Sequence, residues 1–147
     1  MLKPRTLLPL LTLLLGLASL FTSCSKADDP APAAQPEITP SALTATTTWR
    51  LDEIQQNGQV TSSGAGIKDR YSLSFRTDNS YAQKMLADNA TYPGTWMLMA
   101  SNTILHLLDH KGDDHEYKLT GLTAQQLRYR WTNKDGKQEE LIFSAQP

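Results

Sequence analysis

An all-β domain, a small antiparallel up-and-down β-barrel of about eight strands over residues 43–147, is what this sequence predicts, on three observations. Beyond Leu43, short apolar runs recur about every 8 to 12 residues between clusters of Gly, Asn and Asp. Within the runs the apolar residues fall at every second position, the period of a strand with one buried face. No stretch in this region presents a convincing helix.

The chain has 147 residues, and the 42 that precede the domain fall into two parts. Lys3 and Arg5 are followed by the apolar run Leu7 to Phe21, then by Thr22, Ser23 and the single cysteine, Cys24. This is the layout of an export signal over residues 1–23. At about 1.5 Å per residue the run is too short to cross a roughly 30 Å hydrocarbon core comfortably, and Pro9 interrupts it. Leu20-Phe21-Thr22-Ser23-Cys24 resembles the bacterial lipobox. The resemblance implies cleavage before Cys24 and lipid on its thiol, so that the mature protein is a cell-envelope lipoprotein held to the membrane by its acyl chains. Ser25-Lys26-Ala27-Asp28-Asp29 resembles the acidic segment of Bacteroidetes lipoproteins carried to the outer membrane, which sets the expected location.

Residues 24–42 are rich in Pro and Ala, with Pro30, Pro32, Pro36 and Pro40 spaced so that neither helix nor sheet propagates. The segment reads as a tether between lipid and domain, reaching about 55 Å if polyproline II throughout. Loss of residues 1–23 removes Lys3 and Arg5 and no acidic residue, leaving 12 basic against 15 acidic side chains and a net charge of -3 with histidines neutral. A nucleic-acid partner is thereby disfavoured, since phosphate binding needs a basic face. No cysteine remains for a disulfide, so the core alone must hold the domain, which is expected to be a monomer.

Strands are predicted near 47–55, 70–76, 80–86, 91–99, 103–108, 115–120, 126–132 and 138–144. Period-two sets mark them: Trp49 with Leu51, Tyr71 with Leu73 and Phe75, Trp96 with Leu98, Tyr117 with Leu119, Leu127 with Tyr129 and Trp131, and Leu141 with Phe143. In the last hairpin, a two-residue Asp135-Gly136 turn would put Leu141 and Phe143 on the face of Arg128 and Arg130. A three-residue loop, Lys134-Asp135-Gly136, opposes Tyr129 to Leu141, Leu127 to Phe143 and Arg130 to Glu140, which keeps the core together. Closing the sheet into a barrel also removes its edges.

The order of Trp49-Arg50-Leu51, Tyr71-Ser72-Leu73-Ser74-Phe75, Asp78-Asn79-Ser80-Tyr81, Gly94-Thr95-Trp96 and Tyr117-Lys118-Leu119-Thr120-Gly121-Leu122-Thr123 resembles the small lipocalin-like domains of Bacteroidetes lipoproteins. The opening Trp-Arg-Leu also resembles the META family of exported β-domains, the second fold choice.

His106, His110 and His115 lie near Asp109, Asp113 and Asp114, a composition able to bind a divalent cation. Their spacing matches no known site type, so no metal is assigned and the segment reads as a polar hairpin tip. Leu105 and Leu107 are expected inside, which turns His106 outward. There is no Gly-x-Ser-x-Gly elbow and no free thiol nucleophile, and Ser63-Gly64-Ala65-Gly66 lacks the Lys-Ser or Lys-Thr of a phosphate loop. The reading is therefore neither an enzyme nor a cofactor carrier. An eight-stranded barrel is either filled by side chains or holds one small ligand. Trp49, Tyr71, Phe75, Trp96, Tyr129 and Trp131 are the inward aromatics expected to line such a cavity for a small apolar or amphipathic ligand, with the three tryptophans sharing it. The competing reading is a filled barrel whose loops contact or inhibit envelope proteins. A cavity of several hundred Å³ separates the two.

Overall fold

The structure, a computed structural model, describes residues 37–147, so the expected signal, Cys24 and most of the tether lie outside the described residues. The chain runs through α1 (Pro40–Thr44), β1 (Thr48–Gln56), β2 (Gln59–Ser63), a 3-10 turn (Gly64–Gly66), β3 (Tyr71–Phe75), β4 (Ser80–Met85), β5 (Thr91–Met99), β6 (Ile104–Leu108), β7 (Asp114–Leu122), β8 (Gln126–Thr132) and β9 (Gln138–Gln146). Strands β3 to β9 follow one another as antiparallel neighbours, and β1 pairs with β3 on one side and β9 on the other. Eight strands thereby close into the expected barrel. The ninth, β2, continues alongside β1 where β3 leaves it: β3 takes Trp49 and Arg50, and β2 takes Glu53 to Gln56.

The last hairpin has the three-residue loop. Tyr129 opposes Leu141, Leu127 opposes Phe143 and Arg130 opposes Glu140, while Gly136 takes φ +74°. Two bulges adjust the pleat elsewhere. Asp52 is the extra residue of β1, so that Leu51 and Ile54, three apart, both face inward opposite Phe143 and Leu141. Thr120 does the same in β7, letting Leu119 and Leu122 both turn into the core. The displaced Asp52 carboxylate accepts from Arg50 at 2.9 Å and also meets Arg70 and Ser144, tying the β2–β3 connection and β9 to the bulge.

Two elements depart from expectation. The helix α1 straddles the boundary between the segment read as tether and the domain: Thr39 caps it by accepting from the N–H of Ala42 at 3.1 Å, and Pro40 supplies its first turn. It drives Leu43 into the core, where the side chain is fully buried, and the Leu43 carbonyl accepts from the indole N–H of Trp49 at 3.1 Å. The ordered fold therefore begins before residue 43, with Ile38 and Ala42 packed against the core. Strand β2 went unread because Gln59–Ser63 is polar and mostly exposed, with no buried face to generate a pattern.

The barrel is filled at the α1 end. Trp49, Leu51, Leu73, Leu105, Leu127 and Phe143 are each at most 1% exposed, and each such side chain contributes about 1.5–3 kcal/mol by leaving water. The opposite end, where β3, β5 and β7 begin, is built differently.

Candidate functional site

Inward positions at that end carry tyrosines and polar groups in place of aliphatic ones. Tyr71 opens β3, Tyr92 stands at the start of β5 and His115 and Tyr117 at the start of β7, while Gln83 and Tyr81 of β4, opposite Leu73 and Phe75, carry the lining toward the filled end. With Leu107 and the Asp109, His110 and Lys111 of the β6–β7 turn they line an open cup of about 510 Å³, within the size range of small-molecule sites. Its base is aromatic: the hydroxyls of Tyr71 and Tyr129 lie 3.1 Å apart, and Tyr129 packs on Tyr117 and Phe143 with centroids 4.5 and 5.1 Å away.

The turn that forms one wall is organised by Asp109. Its Oδ1 accepts from the backbone N–H groups of Lys111 at 2.8 Å and Asp113 at 3.0 Å, and its Oδ2 lies 3.3 Å from His115 Nε2. The backbone N–H of Asp113, with those of Lys111 and the His115 ring, holds the Asp109 carboxyl down at about 2, well below the usual range. At the lip, His110 stacks on Tyr92 with centroids 4.6 Å apart and planes 24° from parallel. Across the cup His115 lies against Tyr117 at 6.3 Å and 16°. Burial, reinforced by the Asp109 charge, pushes the Tyr81 phenol up to about 12 and raises Tyr117 in the same direction. Both stay protonated and able to donate.

Of the six aromatics expected to line a cavity, Tyr71 alone lines the cup, with Tyr129 bonded to it from below. Trp49, Phe75 and Trp96 belong to the filled end: Phe75 meets Trp96 edge-on at 5.6 Å, and the Trp96 indole N–H donates to the Arg76 carbonyl at 3.1 Å. Trp131 is 42% exposed at the end of β8 and meets Tyr117 edge-on at 6.5 Å. The tryptophans thus do not share a cavity, because strand alternation fixes which face a side chain takes but not how far along the barrel axis it sits. The sequence reading missed Tyr81, Gln83, Tyr92 and Tyr117 as a set. The available signal was Gln83, a polar residue at an inward position two after Tyr81, matched by His115 two before Tyr117.

The three histidines are dispersed. His106 points outward and lies 3.0 Å from Asp114, His110 is on Tyr92 and His115 is on Asp109. Among the described residues no group of three or more His, Cys, Asp or Glu is placed to hold a metal ion, and no helix is long and apolar enough to cross a membrane.

No family model matches the chain, and no curated protein matches it. Among solved structures it is similar to a DUF4847 family protein from Bacteroides vulgatus ATCC 8482, at 12% identity and a TM-score of 0.51, over 74% of this chain and 100% of that one. It is also similar to a redesigned β-barrel (14% identity, TM-score 0.44, 78% and 100% covered) and to a de novo designed fluorescence-activating β-barrel (14%, 0.42, 74% and 99%). The Bacteroides protein shares the fold with this chain.

Proposed function

We propose that this chain is a lipid-anchored protein of the cell envelope, held at the outer membrane through Cys24, whose lipocalin-like barrel binds one small amphipathic ligand at its open end. The observation that carries the reading is the tyrosine-lined cup of about 510 Å³ set over an otherwise filled barrel. Binding is favoured over catalysis because both oxygens of the Asp109 carboxylate are already engaged within the β6–β7 turn. The competing reading, a filled barrel whose loops contact or inhibit envelope proteins, would gain apolar surface from the outward Met97 and Leu108 of neighbouring strands, 52% and 37% exposed.

Native mass spectrometry of the protein taken from its own envelope tests both halves. The expected result is an N-terminal mass increment at Cys24 and a small molecule that leaves on collisional activation. An unmodified N-terminus in a membrane-bound protein removes the anchor, and a co-purifying protein without any small molecule favours the contact reading.

A further inference from the structure

The Tyr81 side chain is 3% exposed and lines the cup; its hydroxyl bonds no group among the described residues and is not among their buried unpartnered polar atoms, so it opens to the cup. The Tyr117 hydroxyl, also in the lining, likewise bonds none of them. Each hydroxyl is thus left to water in the open cup, and a ligand that displaces this water without accepting from the hydroxyl loses affinity. Tyr81 is held there by its surroundings: its ring occupies the space beside Gly94, where a Cβ would come within 2.4 Å of Cε1. The fold thus positions a donor it does not itself use.

The charges of the lining narrow what could accept from it. Asp109 and Lys111 contribute one carboxylate and one ammonium, so the formal balance is neutral with neutral histidines. Both Asp109 oxygens are already engaged within the turn, which leaves the carboxylate little need of a cationic ligand, while its charge beside Tyr81 and Tyr117 repels an anion. A wholly apolar ligand would strand the two phenols and the Gln83 amide away from water. An uncharged ring carrying several hydroxyls meets every condition: its oxygens accept from the phenols, and its C–H faces rest on the electron-rich faces of tyrosine rings.

We propose that the cup takes a neutral mono- or disaccharide, with ring oxygens or hydroxyls accepting from Tyr81 and Tyr117. The proposal rests on the binding reading above and names the ligand class for the same site. Calorimetric titration of the intact mature chain with glucose, galactose, N-acetylglucosamine, lactose and chitobiose tests it, with galacturonate as the charged counterpart and N-phenyl-1-naphthylamine as a neutral apolar probe. Saturable binding of at least one neutral sugar is expected, weakened about five- to tenfold by Tyr81→Phe or Tyr117→Phe for one lost hydrogen bond. In ligand-free protein, Tyr81→Phe should leave the unfolding midpoint unchanged or raised, because the hydroxyl removed has no partner in the fold. A lowered midpoint would make that hydroxyl structural and overturn the proposal. So would sugar affinity indifferent to both substitutions, or binding of the apolar probe or of galacturonate with no neutral sugar bound, either of which would leave the pocket reading standing. Failure of every probe to bind removes the pocket reading as well.

Discussion

The ring of Tyr81 occupies the space that a Cβ at residue 94 would need: built onto Gly94, that atom would lie 2.4 Å from Tyr81 Cε1 and 2.4 Å from the backbone carbonyl oxygen of Leu108. The β4–β5 pair sets Tyr81 opposite Gly94, so the absent side chain is what lets an aromatic ring lie flat against the barrel wall. Glycine is required here by close approach, since Gly94 has no positive φ.

Gly94→Ala should therefore destabilise the domain by about 1–3 kcal/mol, the usual range for overpacking. Because the Leu108 carbonyl is backbone and cannot rotate away, the strain should fall on Tyr81 and reach the cup. Chemical denaturation measures the first effect and ligand titration the second. Unchanged stability would mean that β5 shifts as a whole to accept the methyl group.

Gly136 is the contrasting case. Nothing lies within 4 Å of a Cβ built there, but the residue sits at φ +74°. Gly136→Val should cost about 1 kcal/mol or more through backbone strain alone, and Gly136→Asn, which tolerates the left-handed region, should cost less. Equal losses for the two substitutions would point to some effect other than φ.

The barrel was legible because its eight strands alternate: the pairs Leu127 with Phe143 and Tyr129 with Leu141 followed from requiring one buried face across a hairpin. What escaped was whatever lacks a periodic signal. The helix α1 spans five residues in a Pro-rich stretch, and its Thr39-Pro40 start, a sound capping signature, was masked by neighbouring prolines. The cup escaped because aromatic residues look alike in a period-two reading whether they fill a core or face a mouth. Only the polar companions Gln83 and His115 distinguish the two.

The buried Leu43 and the Trp49 indole bond make α1 part of the domain's stability. Leu43→Ala should lower it by about 2–5 kcal/mol and Trp49→Phe by about 1–3 kcal/mol, the latter by leaving the Leu43 carbonyl unpaired. A domain truncated to begin at residue 45 should be less stable than one beginning at residue 37, measured by thermal unfolding. Equal stability would remove α1 from the fold.

Acid should weaken the β6–β7 wall of the cup. The Asp109 carboxyl is held at about 2 by the N–H groups of Asp113 and Lys111 and by His115, whereas an unfolded aspartate titrates near 4. A depressed folded value means stability that is present above about pH 4 and lost as pH falls toward about 2. Asp52 adds to the same trend: burial opposes its ionisation, but donation from Arg50, Ser144 and Arg70 outweighs burial and lowers its pKa. The denaturation midpoint should fall across that window, and Asp109→Asn should flatten part of the fall. An unaltered slope in the variant would assign the acid sensitivity elsewhere.

The tryptophans offer a direct check on where the ligand sits. Trp49 is fully buried and Trp96 is 3% exposed, both at the filled end, while Trp131 is 42% exposed and touches Tyr117 of the cup wall. Trp96→Ala should then cost about 3–5 kcal/mol, as a large side chain removed from a packed core, whereas Trp131→Ala should cost less than about 1 kcal/mol. A ligand in the cup should alter the emission of Trp131 and leave the other two unchanged. In Trp131→Phe the emission change on titration should vanish while calorimetry still reports binding, because Trp131 is not itself part of the lining. An emission change that survives Trp131→Phe would place the ligand at the filled end, against Trp49 or Trp96, and would require that end to open.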